Sequence, residues 1–260
     1  MLNKCSEDDF TIIRDVAFGR LRPNRIPLFF MATLVFSLVI IAFSLLALGS
    51  DGAVDPLLSL VILIDMALFV VHLFFALFFL NDKFCYKFQR FQSILLCIIS
   101  FKFSIETYLA YFFLLHDRNA APYMAALGLV LFLGGIVFII LSTIRVMKRV
   151  QQGEFRRGGK GLFNFSDSKV YISLPFFFGI VMLAGFLPRI FSDDSSYMSA
   201  EPFVALFFCF IIQYGVAMAW PEFYLLSHCK SRFDSFIIER PQRNGKGGAA
   251  YENKTKSNKI

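Results

Sequence analysis

Six long apolar runs separated by polar stretches dominate the chain. They cover residues 26–48, 56–80, 91–115, 122–144, 170–188 and 202–226. A helix needs about 20 apolar residues to cross roughly 30 Å of hydrocarbon, and each run is close to that length. A membrane strand needs only about ten, and none of the runs alternates polar and apolar positions as a barrel wall does. The pattern therefore predicts an all-α integral membrane protein with six transmembrane helices. Pro27 suits the start of the first, where a missing N–H costs nothing. The third run is the least apolar because it carries Lys102 and Glu106; the fourth has no charge.

Short outer connections make each pair of runs a hairpin, so the chain reads as three hairpins joined by inner segments. Three regions follow: an N-terminal segment 1–25, a transmembrane domain 26–226 and a basic, largely disordered tail 227–260. Within 6–21, apolar Phe10, Ile13, Val16 and Leu21 alternate with Arg14, Asp15 and Arg20. This fits an amphipathic helix on the membrane surface, or a partly disordered tail. Ser6, with Asp9 three residues later, suits a helix N-terminus. A first apolar run of this length behind a polar segment does not read as a cleavable signal peptide.

Composition agrees with the pattern. Of 260 residues, 57% are apolar and only 17% charged, with a mean hydropathy of +0.63. A chain this apolar would expose too much hydrophobic surface in water alone. That excludes a soluble enzyme, a disordered protein and a secreted disulfide scaffold. The five cysteines fall in inner segments or inside spans, so a structural disulfide is not expected. No Cys/His group has zinc spacing, and no nucleophile elbow, phosphate loop or dinucleotide fingerprint is present. The sequence gives no reason to expect a metal, a cofactor or catalysis.

Charge sets the orientation. With six spans, both termini share a side with the segments 81–90 and 145–169, and these four stretches hold 23 of the 26 Lys and Arg residues. Asp51, Asp55, Asp117, Asp193, Asp194 and Glu201 lie on the other side. Positive residues stay inside, which predicts cytoplasmic termini. The net charge of +7 follows from that topology. No segment has room for a module that reads nucleic acid. Arg145, Lys148, Arg149, Arg156, Arg157 and Lys160 form the natural contact for anionic lipid headgroups. Plain basic loops without a targeting signal point to a bacterial cytoplasmic membrane, with an internal eukaryotic membrane as the alternative.

Polar residues inside the spans are the candidate chemistry, because a charge at mid-bilayer costs at least about 2.5–3.5 kcal/mol and needs a partner. Asp65 and His72 share a face of the second span; Lys102 and Glu106 are four apart in the third and can pair. If these two spans pack antiparallel, His72 lies roughly 12 Å in, Lys102 roughly 16 Å, and both carboxylates roughly 22 Å. Two adjacent carboxylates would then share a proton or a cation, with Gln213 and Tyr214 of the sixth span completing a polar pocket. The same residues also suit a self-neutralising network that only fixes helix register. Small residues Ala121, Ala125, Gly128 and Gly135 line one face of the fourth span and predict a close packing seam.

Two functional classes remain. The first is a non-enzymatic accessory, regulatory or protective membrane protein that acts through protein or lipid contacts. The second is a small ion- or proton-coupled transporter or channel built on the cluster in spans two and three.

Overall fold

The apolar runs fold as helices, with no strand among the described residues. The computed structural model describes residues 2, 5–48, 56–117, 122–162 and 201–241. Its helices are α1 (Thr11–Phe18), α2 (Ile26–Leu48), α3 (Pro56–Phe78), α4 (Asp82–Lys87), α5 (Gln89–Asp117), α6 (Pro122–Gln151) and α7 (Glu201–Arg232). Short 3-10 turns at Glu7–Phe10 and Asp234–Phe236 flank them. Five helices, α2, α3, α5, α6 and α7, are long and apolar enough to cross a membrane. The expected fifth span, 170–188, lies outside the described residues, as do the connections at 49–55 and 118–121 and everything after residue 241.

α5, the least apolar of the predicted spans, is the centre of the bundle. It packs most extensively against α7 and then against α2, with α6 also touching it. Gln92, Ser93, Ser100, Ser104 and Glu106 on α5 are buried, so its polar side chains face protein instead of lipid. Low hydropathy here marks a surrounded helix. α3 is the opposite case. It packs on α2 through one stripe, Ile62, Asp65, His72 and Ala76, while Leu60, Leu63, Val70, Phe74 and Leu77 face outward. Period-3.6 spacing places those four buried residues on one face. Spans two and three are therefore not a packed antiparallel pair. α3 leans on α2, and a gap opens between α3 and the α5–α6 pair.

Helices α6 and α7 run well past their apolar ends, to Gln151 and Arg232. Hydropathy sees where a helix leaves hydrocarbon, not where its hydrogen bonds stop. Lys148 and Arg149 in the last turn of α6, and Lys230 and Arg232 in that of α7, suit the negative end of the helix dipole. Pro221 sits inside α7, and next to it Trp220 Nε1 donates to the carbonyl of Cys97 on α5 at 3.0 Å.

The N-terminal segment neither lies apart on the surface nor trails off. Phe10, Ile13 and Ala17 are buried in one apolar cluster with Val150, Phe155, Leu225, Cys229 and Phe236. Ile12 N–H donates to the Phe155 carbonyl at 3.0 Å, and Arg232 donates to the Leu2 carbonyl at 2.7 Å. The amphipathic stripe read from the sequence buries its apolar side against protein. The start of the tail is also ordered: Gln89 exchanges hydrogen bonds with Ile238 at 2.7 and 3.1 Å, and Arg90 pairs with Asp234 at 2.6 Å. These contacts gather the starts of α2 and α5 and the ends of α6 and α7 at one basic end of the bundle.

Candidate functional site

Three of the six polar residues singled out in the spans meet. Lys102 Nζ lies 3.2 Å from Asp65 Oδ1 and 2.5 Å from Glu106 Oε1. Its third partner is Ser37 Oγ, at 2.8 Å, and the Ser37 hydroxyl donates in turn to Glu106 Oε1. The contacts of Lys102 with Ser37 and Glu106 are hydrogen bonds, and that with Asp65 is an ion pair. The cluster ties together α2, α3 and α5. With Lys102 and both carboxylates ionised it carries one uncompensated negative charge. Asp65 Oδ2 is buried without a hydrogen-bond partner.

Ser37 was not among the expected residues, although its signal was available. Thr33, Ser37 and Ser44 repeat at spacings of four and seven in an otherwise apolar run, and all three are buried. That is one helix face. Thr33 and Ser44 bond back to carbonyls of their own helix, whereas Ser37 reaches across to α5.

The other three residues go elsewhere. His72 Nε2 is 3.1 Å from the Phe30 carbonyl. A carbonyl only accepts, so Nε2 carries the proton and the ring joins α3 to α2 below the cluster. Gln213 Nε2 donates to the Phe132 carbonyl at 3.0 Å, which joins α7 to α6. Tyr214 packs its ring against Phe138 and Phe210 in a second apolar cluster with Tyr108, Tyr111 and Cys209. The single pocket expected from all six resolves into a charged triad and two separate helix-pinning contacts.

Beside the triad lies a cavity of about 660 Å³ between α3 and the α5–α6 pair. Asp65, Lys102 and Glu106 line it, with Tyr108 and His116; the rest of the wall is apolar, including Val61, Leu68, Phe112 and Phe132. The packing seam is also visible. The α carbon of Gly128 lies against the Tyr111 ring of α5, and that of Gly135 against the Gln213 side chain of α7. Ala125 instead lines the cavity, and Ala121 lies outside the described residues.

The proposed lipid contacts at the basic end divide in the same way. Arg149 is held by Glu154 Oε2 at 2.5 Å and the Leu162 carbonyl at 3.0 Å, and Arg156 by Asp9 Oδ1 at 2.7 Å. These two cations serve the fold. Lys148, Arg157 and Lys160 are exposed, and Arg145 is half-buried. Glu222 is buried beside Pro221 and paired with Arg20.

Burial opposes ionisation of Asp9, yet the Arg156 guanidinium and the N–H and hydroxyl of Ser6 hold its carboxyl below the usual carboxylate range. A carboxyl depressed in the folded state stabilises above its unfolded pKa, near about 4, and that contribution disappears as pH falls through the folded value. Asp9→Asn should therefore cost about 1 kcal/mol at pH 7 and progressively less below about pH 4. Unfolding midpoints of the two proteins measured across that range check it; a constant gap would exclude the Asp9–Arg156 contact as its source. Burial, followed by the neighbouring Asp82, pushes the Cys85 thiol up to about 11, and its Sγ–H donates to the Phe79 carbonyl at 2.8 Å. This is a packing cysteine rather than a nucleophile.

Among the described residues no group of three His, Cys, Asp or Glu side chains is placed to hold a metal ion. Comparison of the chain with protein-family models, with curated proteins and with solved structures gave no match.

Proposed function

We propose that this is a non-enzymatic multi-span membrane protein whose Asp65–Lys102–Glu106 cluster is an ion- or proton-responsive site, as in a small coupled transporter or channel. The observation that carries this reading is the charge imbalance: two buried carboxylates share one ammonium, and Asp65 Oδ2 has no partner. An intramembrane ionisable group that is incompletely neutralised is the usual mark of an ion or proton path. A monovalent cation or one proton cancels the excess.

Six spans with cytoplasmic termini remain the topology we favour. α6 and α7 follow one another in the chain, yet both end at the basic end; an additional crossing before Glu201, at the expected 170–188, accounts for that. The charge asymmetry of the sequence then places the basic end in the cytoplasm, and a bacterial cytoplasmic membrane suits it.

The test is thermal unfolding of the purified protein over a range of pH and monovalent cations, with Asp65→Asn and Glu106→Gln alongside. Groups facing Asp65 are Lys102 and Glu106 of α5, with Ser37 of α2; His72 lies on its own helix, and His116 and Tyr108 line the same cavity. A bound cation removes the uncompensated charge, so the wild-type midpoint should rise with one monovalent cation, by mass action. Asp65→Asn should flatten that response. Variants that are less stable by the same amount at every condition would instead make the cluster a register lock.

That outcome would favour the second reading, an accessory, regulatory or protective protein acting through protein or lipid contacts. Its support is the mutual bonding of Ser37, Lys102 and Glu106, which already joins helices, together with the exposed Lys148, Arg157 and Lys160 for anionic headgroups.

A further inference from the structure

The cavity beside the triad has two features that no single simple occupant satisfies. Its volume, about 660 Å³, falls within the range of small-molecule sites, about 300–1,000 Å³, and most of its wall is hydrocarbon and aromatic ring. Its polar edge holds an acceptor, Asp65 Oδ2, on a side chain only 8% exposed and without a partner.

A proton would satisfy the oxygen but leave the apolar volume without a role. A neutral hydrocarbon would fill the volume and leave the carboxylate oxygen unpaired, at a cost a buried charged group does not bear lightly. A divalent metal wants about six oxygen ligands or more, and the cavity supplies two carboxylates of which one is already bonded to Lys102 and Ser37. An anion would meet the excess negative charge of the two carboxylates.

We infer that the cavity binds a lipophilic organic cation, with an ammonium head donating to Asp65 Oδ2 and an apolar body lying against Leu68, Phe112 and Phe132. The aromatic rings add a favourable surface for such a head, since a cation is attracted to a ring face. Entry from the bilayer side suits the place of α3, which packs mainly on α2 and leaves the cavity between itself and the α5–α6 pair. This inference rests on reading the triad as an ion-responsive site and names the class of ion.

The experiment is calorimetric binding of 4-phenylbutylammonium to the full chain in phosphatidylcholine nanodiscs, with 4-phenylbutanol and 4-phenylbutyrate as neutral and anionic counterparts of the same body. The ammonium should bind about tenfold or more tightly than either counterpart, and Asp65→Asn should remove that preference. Leu68→Trp, which narrows the cavity from its α3 wall, should weaken all binding. The matched ligands on wild type keep the result decisive if Asp65→Asn folds poorly. Equal binding of the alcohol and the amine, or amine binding unchanged by Leu68→Trp, would overturn the inference. If the amine does not bind while the Asp65-dependent cation response persists, only this inference fails. Absence of that cation response as well would remove the reading beneath it.

Discussion

Lys102→Met should be the most damaging single substitution in the bundle. It leaves Asp65 and Glu106 buried beside one another without the ammonium they share, and it removes a partner of Ser37. Taking one member from a buried ion pair costs about 3–5 kcal/mol, because the remaining charge is uncompensated in a medium that solvates it poorly. Folded yield in detergent and the unfolding midpoint should both fall sharply. The decisive comparison is the triple variant Lys102→Met, Asp65→Asn, Glu106→Gln. Removing all three charges abolishes the need for the ammonium, so most of the lost stability should return although the salt bridges do not. A Lys102→Met protein as stable as wild type would mean that the lysine does not compensate the carboxylates at all. Failure of the triple variant to recover would mean that the geometry of the three side chains, rather than their charge, holds α2, α3 and α5 in place.

The contrast between α3 and α5 shows how far the sequence carries the fold. A run of apolar residues announces a helix in a membrane because lipid asks for nothing else, and α3, most of whose surface is exposed, is plain in the sequence. α5 was the hardest to read for the same reason turned round. Surrounded by α2, α6 and α7, it can bury glutamine, serine and a charged pair, and its hydropathy falls as its burial rises.

The candidate site was half legible. The i,i+4 pairing of Lys102 with Glu106 follows from helix geometry alone. That Asp65 joins them could be estimated from depth, since a rise per residue is fixed. Which way a side chain turns about the helix axis is not fixed by depth, and here the estimate ran out. His72 lies seven residues from Asp65 on the same face, yet its ring meets the Phe30 carbonyl of α2, the helix α3 packs on most. Gln213 likewise meets α6 instead of the charged cluster. The N-terminal stripe was correctly read as amphipathic, but an apolar stripe does not say whether lipid or protein covers it. Phe10 and Ile13 find the ends of α6 and α7.

Gly128→Ala carries the second large effect, and it tests the seam directly. A β carbon at Gly128 would overlap the ring of Tyr111. That ring cannot swing aside: it is buried, and its hydroxyl donates to the Met124 carbonyl at 2.7 Å, one turn away on α6 itself. One methyl must then push α5 and α6 apart, and overpacking of this kind costs about 1–3 kcal/mol. Gly215→Ala supplies the control within the same bundle. A β carbon there meets no atom within 4 Å, so the substitution should be neutral or stabilising by up to about 1 kcal/mol through helix propensity. Tyr111→Leu should relieve part of the Gly128→Ala penalty, since the double variant restores space on the α5 side while losing the hydroxyl bond. Midpoints of the four proteins decide the matter. If Gly128→Ala and Gly215→Ala behave alike, α5 and α6 do not approach through Gly128, and the cavity wall that α6 contributes through Ala125 and Phe132 would lose the contact that holds it in register with α5.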